Sequence, residues 1–342
     1  MKILNIMLSR DLGGVQQSFL DYSKMLLLEN ITVINITSHF AEISKYVDAQ
    51  YKLPNLGNWD IISTNILKGI IQKENPDAII AHGGRATKFS INAAKAIPII
   101  GVVHSDELKL IEKCTHIFTL TNKMEQTAIK RGIAKDKLSV LPNTIDTQIC
   151  GIIPKDEFSS PPIIGTMARF VQKKGIDTFL ESLSILKKEG VQFKAVIGGG
   201  GEEEDYYKSL SINLGLEHYV EFTGWVENKA DFFNKIDIFC LPSHNEPFGI
   251  ILLEAMGFKK PIITTATSGP SEIVQNDKEA LIVEIGNPNS MAEAIISLIH
   301  NEGAAKHLAQ NALTRSKKYY DIRIIAKNLK EQLTKIIDKY GS

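Results

Sequence analysis

Short apolar, β-branched runs alternate with longer helical stretches along almost the whole chain, and this alternation narrows the fold more than any other feature. Ile3–Leu8, Ile31–Ile36, Ala78–His82, Ile97–His104, Ile117–Leu120 and Leu138–Leu141 read as strands. They are apolar continuously rather than on alternate residues. Both faces must therefore be buried, which calls for a parallel sheet covered by helices on either side. Val15–Leu28, Trp59–Lys73, Thr87–Lys95 and Lys123–Gly132 carry the helical spacing between them. The order breaks at Asn143–Pro162, where Pro154, Ser159, Ser160, Pro161 and Pro162 mark a linker. A second alternation follows, with strands expected at Ile163–Met167, Phe193–Ile197, Val220–Phe222, Ile238–Leu241, Ile262–Thr265 and Leu281–Val283. From about Ala292 to Tyr340 the pattern is helical and amphipathic. The expected fold is α/β, with two doubly wound Rossmann-like domains, residues 1–155 and 156–320, facing each other across a cleft. Residues 321–342 form a C-terminal helix free to return to the first domain.

At 342 residues each domain has room for its own core. Lys and Arg number 39 and Asp and Glu 39, so no net charge draws the chain to nucleic acid. No apolar run approaches the roughly 20 residues of a bilayer span. Lys2–Leu8 is too short for a signal peptide and leads into Arg10-Asp11. Cys114, Cys150 and Cys240 stand far apart and form neither a disulfide framework nor a metal-binding pair. A cytoplasmic protein is expected. The histidines form no HxxxH or HExxH pair and no D-x-D occurs, so no metal site is expected.

In a doubly wound sheet, ligands sit beyond the carboxyl ends of the strands, and the informative residues lie there. After Ile238–Leu241 comes His244-Asn-Glu246-Pro-Phe248-Gly249-Ile250, opening an apolar helix that contains Glu254. A helix start offers unpaired N–H groups and a positive dipole end, a seat for phosphate. Glu246 and Glu254 can accept from sugar hydroxyls; the plainer alternative is a helix cap for Glu246 and a buried ion pair for Glu254. After Ile163–Ala168, Arg169 and Lys174 can reach one anion from one strand end, as a planar fork and a point charge, or stand as solvated cations. Gly13-Gly14 suits backbone approach to a phosphate or a simple turn. Gly198–Gly201 runs into the acidic Glu202–Asp205, which repels pyrophosphate and suits a helix start, so a dinucleotide site is disfavoured. His104-Ser-Asp106 and His82-Gly-Gly-Arg85 end strands of the first domain; His82 reads as a structural histidine.

The ordered set of motifs resembles the retaining GT-B glycosyltransferases of family four. It comprises Arg169…Lys174-Gly175, Gly198…Gly200, Phe222-Thr-Gly224-Trp225-Val226, Leu241-Pro-Ser243…Glu246-x-Phe248-Gly249-x4-Glu254-Ala-Met, Lys260-Pro261 and Gly269-Pro-Ser-Glu272. Gly13-Gly14, His104 and Asn143–Asp146 fit the pattern in the first domain. The resemblance implies a nucleotide-diphosphate sugar donor, UDP foremost, and no cofactor or divalent metal. It implies that Arg169 and Lys174 bind the diphosphate with the N–H groups of Phe248–Ile250 and the Gly13-Gly14 loop. Glu254 would accept from the ribose, Glu246 would face the transferred sugar, the Gly198 and Trp225-Val226 backbone would hold the base, and His104 would lie near the reacting centre. Front-face attack, with the leaving phosphate taking the acceptor proton, is the implied route to retention.

The first domain is short for this family, Ala280 stands at a usual glycine, and Phe258-Lys259 replaces a small-residue-plus-glycine turn. The expected partners are the donor and a glycan or lipid-linked acceptor in surface-polysaccharide synthesis, without nucleic acid. The basic helix 122–132 reads as a solvated face or a peripheral membrane contact. Rival readings are an epimerase of the same fold, which would turn over a sugar nucleotide without acceptor, and a non-catalytic nucleotide-sugar-binding module.

Overall fold

The structure, a computed structural model, describes residues 1–9, 13–57, 60–94, 96–104, 110–148 and 157–340. Arg10, Asp11, Trp59, Lys95, Asp106, Cys150 and Pro154, all named above, lie outside those residues. The chain divides into two compact units, Met1–Thr144 with Tyr320–Ser342, and Ile145–Tyr319.

The first unit runs β1 (Lys2–Met7), α1 (Gly14–Leu28), β2 (Thr32–Ser38), β3 (Tyr51–Leu53), α2 (Ile61–Glu74), β4 (Ala78–His82), α3 (Gly83–Ala93), β5 (Ile99–Val102), β6 (His116–Thr119), α4 (Asn122–Lys130) and β7 (Leu138–Val140). Its seven strands are parallel in the order β3-β2-β1-β4-β5-β6-β7. The order reverses between β1 and β4, so the carboxyl ends there form the switch point where doubly wound sheets bind ligands. β1, β4, β5 and β6 are buried almost throughout, as continuous apolar strands require. β3 escapes a sequence reading because it holds three residues with Lys52 at its centre. α3 starts at Gly83, with φ +81°, earlier than helix propensity suggests for a Gly-Gly pair.

The second unit runs β8 (Ile163–Met167), α5 (Ile176–Lys188), β9 (Lys194–Gly198), α6 (Glu204–Asn213), β10 (Val220–Gly224), α7 (Lys229–Lys235), β11 (Ile238–Leu241), α8 (Ile250–Gly257), β12 (Ile262–Thr265), α9 (Pro270–Ile273), β13 (Leu281–Val283), α10 (Pro288–His300) and α11 (Glu302–Tyr319). Its parallel sheet has the order β10-β9-β8-β11-β12-β13, with the switch point between β8 and β11. Phe179, Leu183 and Leu186 of α5 and Met291, Ile295 and Leu298 of α10 bury their apolar stripes in one core with Ile164, Ile197 and Ile238 of the strands. Asp237 fixes the entry into β8 by accepting from the Ile163 N–H at 2.8 Å and the Ser159 N–H at 3.1 Å.

The last helix, α12 (Ile322–Tyr340), belongs to the first unit. Ile322, Ile325, Ala326, Leu329, Leu333 and Ile336 form its buried stripe, and it packs along α1. Lys330 reaches Glu29 at 3.3 Å and Lys339 reaches Asp136 at 2.9 Å. Inside this contact, the Ser139 hydroxyl donates to Gln332 Oε1 at 3.0 Å and accepts from His116 Nε2 at 2.9 Å. The other ring nitrogen of His116 is buried without a partner, and burial holds its pKa at about 4.

Candidate active site

In the second unit the loops leaving β8 and β11 are tied together at the switch point. The N–H groups of His244 and Asn245 both donate to the Lys173 carbonyl, at 2.9 and 3.1 Å. Gly175, at φ +65°, allows this approach, because a Cβ there would lie 2.0 Å from the Pro242 carbonyl oxygen. The tie places Lys174 Nζ 2.5 Å from Glu246 Oε2. Glu246 is only 7% exposed. Ser243 lies 3.4 Å from the same oxygen. An ammonium has three donors, and Glu246 takes one of those of Lys174. Lys173 is exposed and Arg169 stands exposed at the end of the β8 segment.

α8 begins immediately after Glu246-Pro-Phe248-Gly249. Gly249, at φ +99°, is its N-cap residue, and no side chain caps the helix. The plainer expectation that Glu246 caps this helix is thus not what the structure contains; its carboxylate goes to Lys174. Phe248 is buried and Ile250 half-buried. The Gly269 N–H donates to the Glu246 carbonyl at 2.9 Å, and a Cβ on Gly269 would lie 2.3 Å from the Phe248 carbonyl oxygen. Backbone packing of this kind holds the β11–α8 turn rigid.

One turn into α8, Glu254 is 6% exposed. Its Oε1 lies 2.5 Å from Lys229 Nζ, and its Oε2 is buried with no partner. Desolvation pushes the Glu254 carboxyl up, and Lys229 opposes it. The ion pair expected as the plainer reading is present, yet it uses only one carboxylate oxygen. Lys229 carries no sequence signal of its own: it is the first residue of α7, three positions after Val226.

The glycine run after β9 serves packing. Gly199 donates to the Gly224 carbonyl at 2.7 Å, and a Cβ on Gly199 would lie 1.9 Å from the Ala168 carbonyl oxygen. A Cβ on Gly198 would lie 2.8 Å from Val226, so the ends of β8, β9 and β10 close on one another. Trp225 is 62% exposed. The acidic run leads into α6, with Glu204 and Asp205 in its first turn.

In the first unit, Gly13 precedes α1 and Gly14 opens it, beyond the end of β1. His104 follows β5, and its Nε2 lies 3.3 Å from Nδ1 of His82 at the end of β4. Burial depresses both, His104 to about 4 and His82 well below the ordinary range. Among the described residues no group of three or more His, Cys, Asp and Glu is placed to hold a metal ion, and no helix is long and apolar enough to cross a membrane.

Two parallel Rossmann-like units, each with its loops gathered at a switch point, define a doubly wound α/β class. Residues 12–149 match the family Glycosyltransferase Family 4, and residues 152–315 match Glycosyl transferases group 1. The lipopolysaccharide core biosynthesis glycosyltransferase LpsE of Rhizobium meliloti is 26% identical over 248 residues, 71% of this chain and 72% of its own. The capsular polysaccharide biosynthesis glycosyltransferase CapM of Staphylococcus aureus is 26% identical over 233 residues, 66% of this chain and 60% of its own. The structure of Anabaena HepE with UDP-glucose superposes with a TM-score of 0.87 at 18% identity, covering 98% of this chain and 100% of that one. The chain is a GT-B glycosyltransferase.

Proposed function

We propose that the protein is a retaining, metal-independent hexosyltransferase that moves a sugar from a nucleotide-diphosphate donor, UDP foremost, to a glycan or lipid-linked acceptor in cell-surface polysaccharide synthesis. The observation that carries the donor half is the β8/β11 switch point, where Lys174, Glu246 and the uncapped start of α8 come together. Arg169 and Lys174 hold the diphosphate, with the N–H groups of Phe248–Ile250. Glu246 faces the transferred sugar, and the free Oε2 of Glu254 accepts from a ribose hydroxyl. The backbone at Gly198, Trp225 and Val226 borders the base. The relatives named for lipopolysaccharide core and capsular synthesis support the acceptor class.

The chemistry follows from the charges. Cleaving the bond from the anomeric carbon to the diphosphate oxygen leaves negative charge on the phosphate and an oxocarbenium-like sugar. Cations and a helix start already aimed at that phosphate need not reorganise during the reaction, which is electrostatic preorganisation. Glu246 on the sugar side opposes the positive charge of the ring. The leaving phosphate takes the acceptor hydroxyl proton as the new bond forms on the face that it vacates, and configuration is retained.

Calorimetry with UDP, GDP and ADP, followed by hydrolysis assays with the matching sugar nucleotides in EDTA, tests this reading. Binding of one nucleoside diphosphate and chelator-resistant, retaining turnover are expected. Turnover of a sugar nucleotide to its epimer without acceptor would replace the reading with that of an epimerase.

A further inference from the structure

A chain of buried polar side chains crosses the first unit's switch point and ends on His104. Ser23 of α1, Asn35 of β2, Asn5 of β1 and His82 of β4 are all buried, and Asn5 and Asn35 are register partners on adjacent strands. Asn35 Nδ2 donates to Ser23 Oγ at 2.8 Å. Asn5 Nδ2 donates to the Phe19 carbonyl at 3.2 Å and to Asn35 Oδ1 at 3.0 Å. A backbone carbonyl only accepts, so the Asn5 amide cannot be turned round, and its Oδ1 is what faces His82 Nε2 at 3.0 Å.

The protons then follow one after another. Oδ1 carries none, so His82 Nε2 must donate. Burial keeps His82 neutral, so its Nδ1 has a lone pair. That lone pair faces His104 Nε2, which must donate in turn. His104 is neutral as well, which leaves Nδ1 of its ring as a lone pair with no partner among the described residues. Tyr22 and Phe19 stand edge-on to the His82 ring, with centroids 4.8 and 5.7 Å away, and prevent it from turning.

We propose that Asn5 and His82 are positioning residues that lock His104 in its Nε2–H tautomer, so that Nδ1 presents an acceptor to a ligand hydroxyl. The ligand half of this statement rests on the proposed sugar-transfer function, together with the family resemblance that puts His104 near the reacting centre. A histidine so held accepts from a sugar hydroxyl and gives no proton to a phosphate. Without the relay the two tautomers interconvert, and the ring offers N–H as often as a lone pair.

Long-range 1H–15N correlation of the histidine rings in the full-length protein reads the tautomers directly, with His104→Ala and His82→Gln used for assignment. Both rings are expected as Nε2–H with Nδ1 bare. His82→Phe fills the space but neither donates nor accepts; it should release His104 into a mixture of tautomers and lower UDP-glucose turnover by on the order of 10²-fold. His82→Gln keeps a donor for Asn5 and an acceptor for His104 and should retain the tautomer and most of the turnover. Nδ1–H on His104 in the wild type, or an unchanged tautomer in His82→Phe, overturns the relay. The wild-type spectrum decides the first point even if His82→Phe does not fold. Tautomers as expected, with full UDP-glucose turnover in His104→Ala, would leave the relay standing and remove His104 from the donor reading.

Discussion

Acid should weaken the first unit through His116, and the size of the effect follows from its surroundings. The ring is 5% exposed, donates from Nε2 to Ser139, and has a buried, partnerless Nδ1. Protonation would bury a new N–H that has nothing to donate to. Desolvation is the main cause that lowers its pKa from 6.5 to about 4; Lys339 adds to this and Asp136 opposes it. The unfolded chain takes up the proton near pH 6.5, whereas the folded chain does so only near 4. Stability is thus complete above 6.5 and is lost as the pH falls towards 4. Integrating that difference from about pH 7.5 to about pH 5 gives a loss of roughly 2 kcal/mol. His116→Gln keeps an N–H donor for Ser139 and has no proton to gain. Urea unfolding of both proteins at the two pH values, followed by circular dichroism, yields a double difference in which other titrating groups cancel. The wild type should lose about 2 kcal/mol more than the variant on acidification. Equal losses would refute the reasoning, because they would mean that the buried Nδ1 is not what resists the proton.

Lys174→Ala should lower kcat by on the order of 10²–10³-fold with the fold intact, measured as donor hydrolysis beside a thermal melt. Lys229→Met leaves the Glu254 carboxyl buried without its cation and pushes its pKa further up. Nucleotide affinity by calorimetry should fall, and fall more at pH 5.5 than at pH 8, whereas an unchanged pH dependence would exclude Lys229 from holding the charge. Lys259 ends α8 in the left-handed region at φ +55°, with the Lys260 N–H returning to the Ala255 carbonyl at 3.0 Å. Glycine is at ease in that cap, so Lys259→Gly should raise stability by up to about 1 kcal/mol, read from the denaturant midpoint.

The parallel sheets were legible because a strand buried on both faces has to be largely apolar, and Ile238–Leu241 meets that demand without interruption. Lys174 and Glu246 stood out for their places after strand ends, a local signal. Their contact, 72 residues apart in sequence, is a property of the switch point and is invisible in either segment alone. Lys229 looks like any first-turn helix residue until its partner Glu254 is seen. Asn5 is hidden still better: one amide within the otherwise apolar run Ile3–Met7, whose meaning lies in neighbours on three other elements. Sequence patterning exposes what a residue's own element requires of it, and these roles are set by other elements.

Because α12 closes the first unit, chain order and spatial order part company. Everything from Ile145 to Tyr319 is synthesised between the sheet of the first unit and the helix that covers it. On the ribosome, the second unit can complete its core while α1 still exposes the stripe that α12 will cover. Shortening the protein from its carboxyl end would therefore injure the unit that carries His104 and spare the other, which carries Lys174. A tag or fusion after Tyr340 would likewise bear on the amino-terminal half of the molecule.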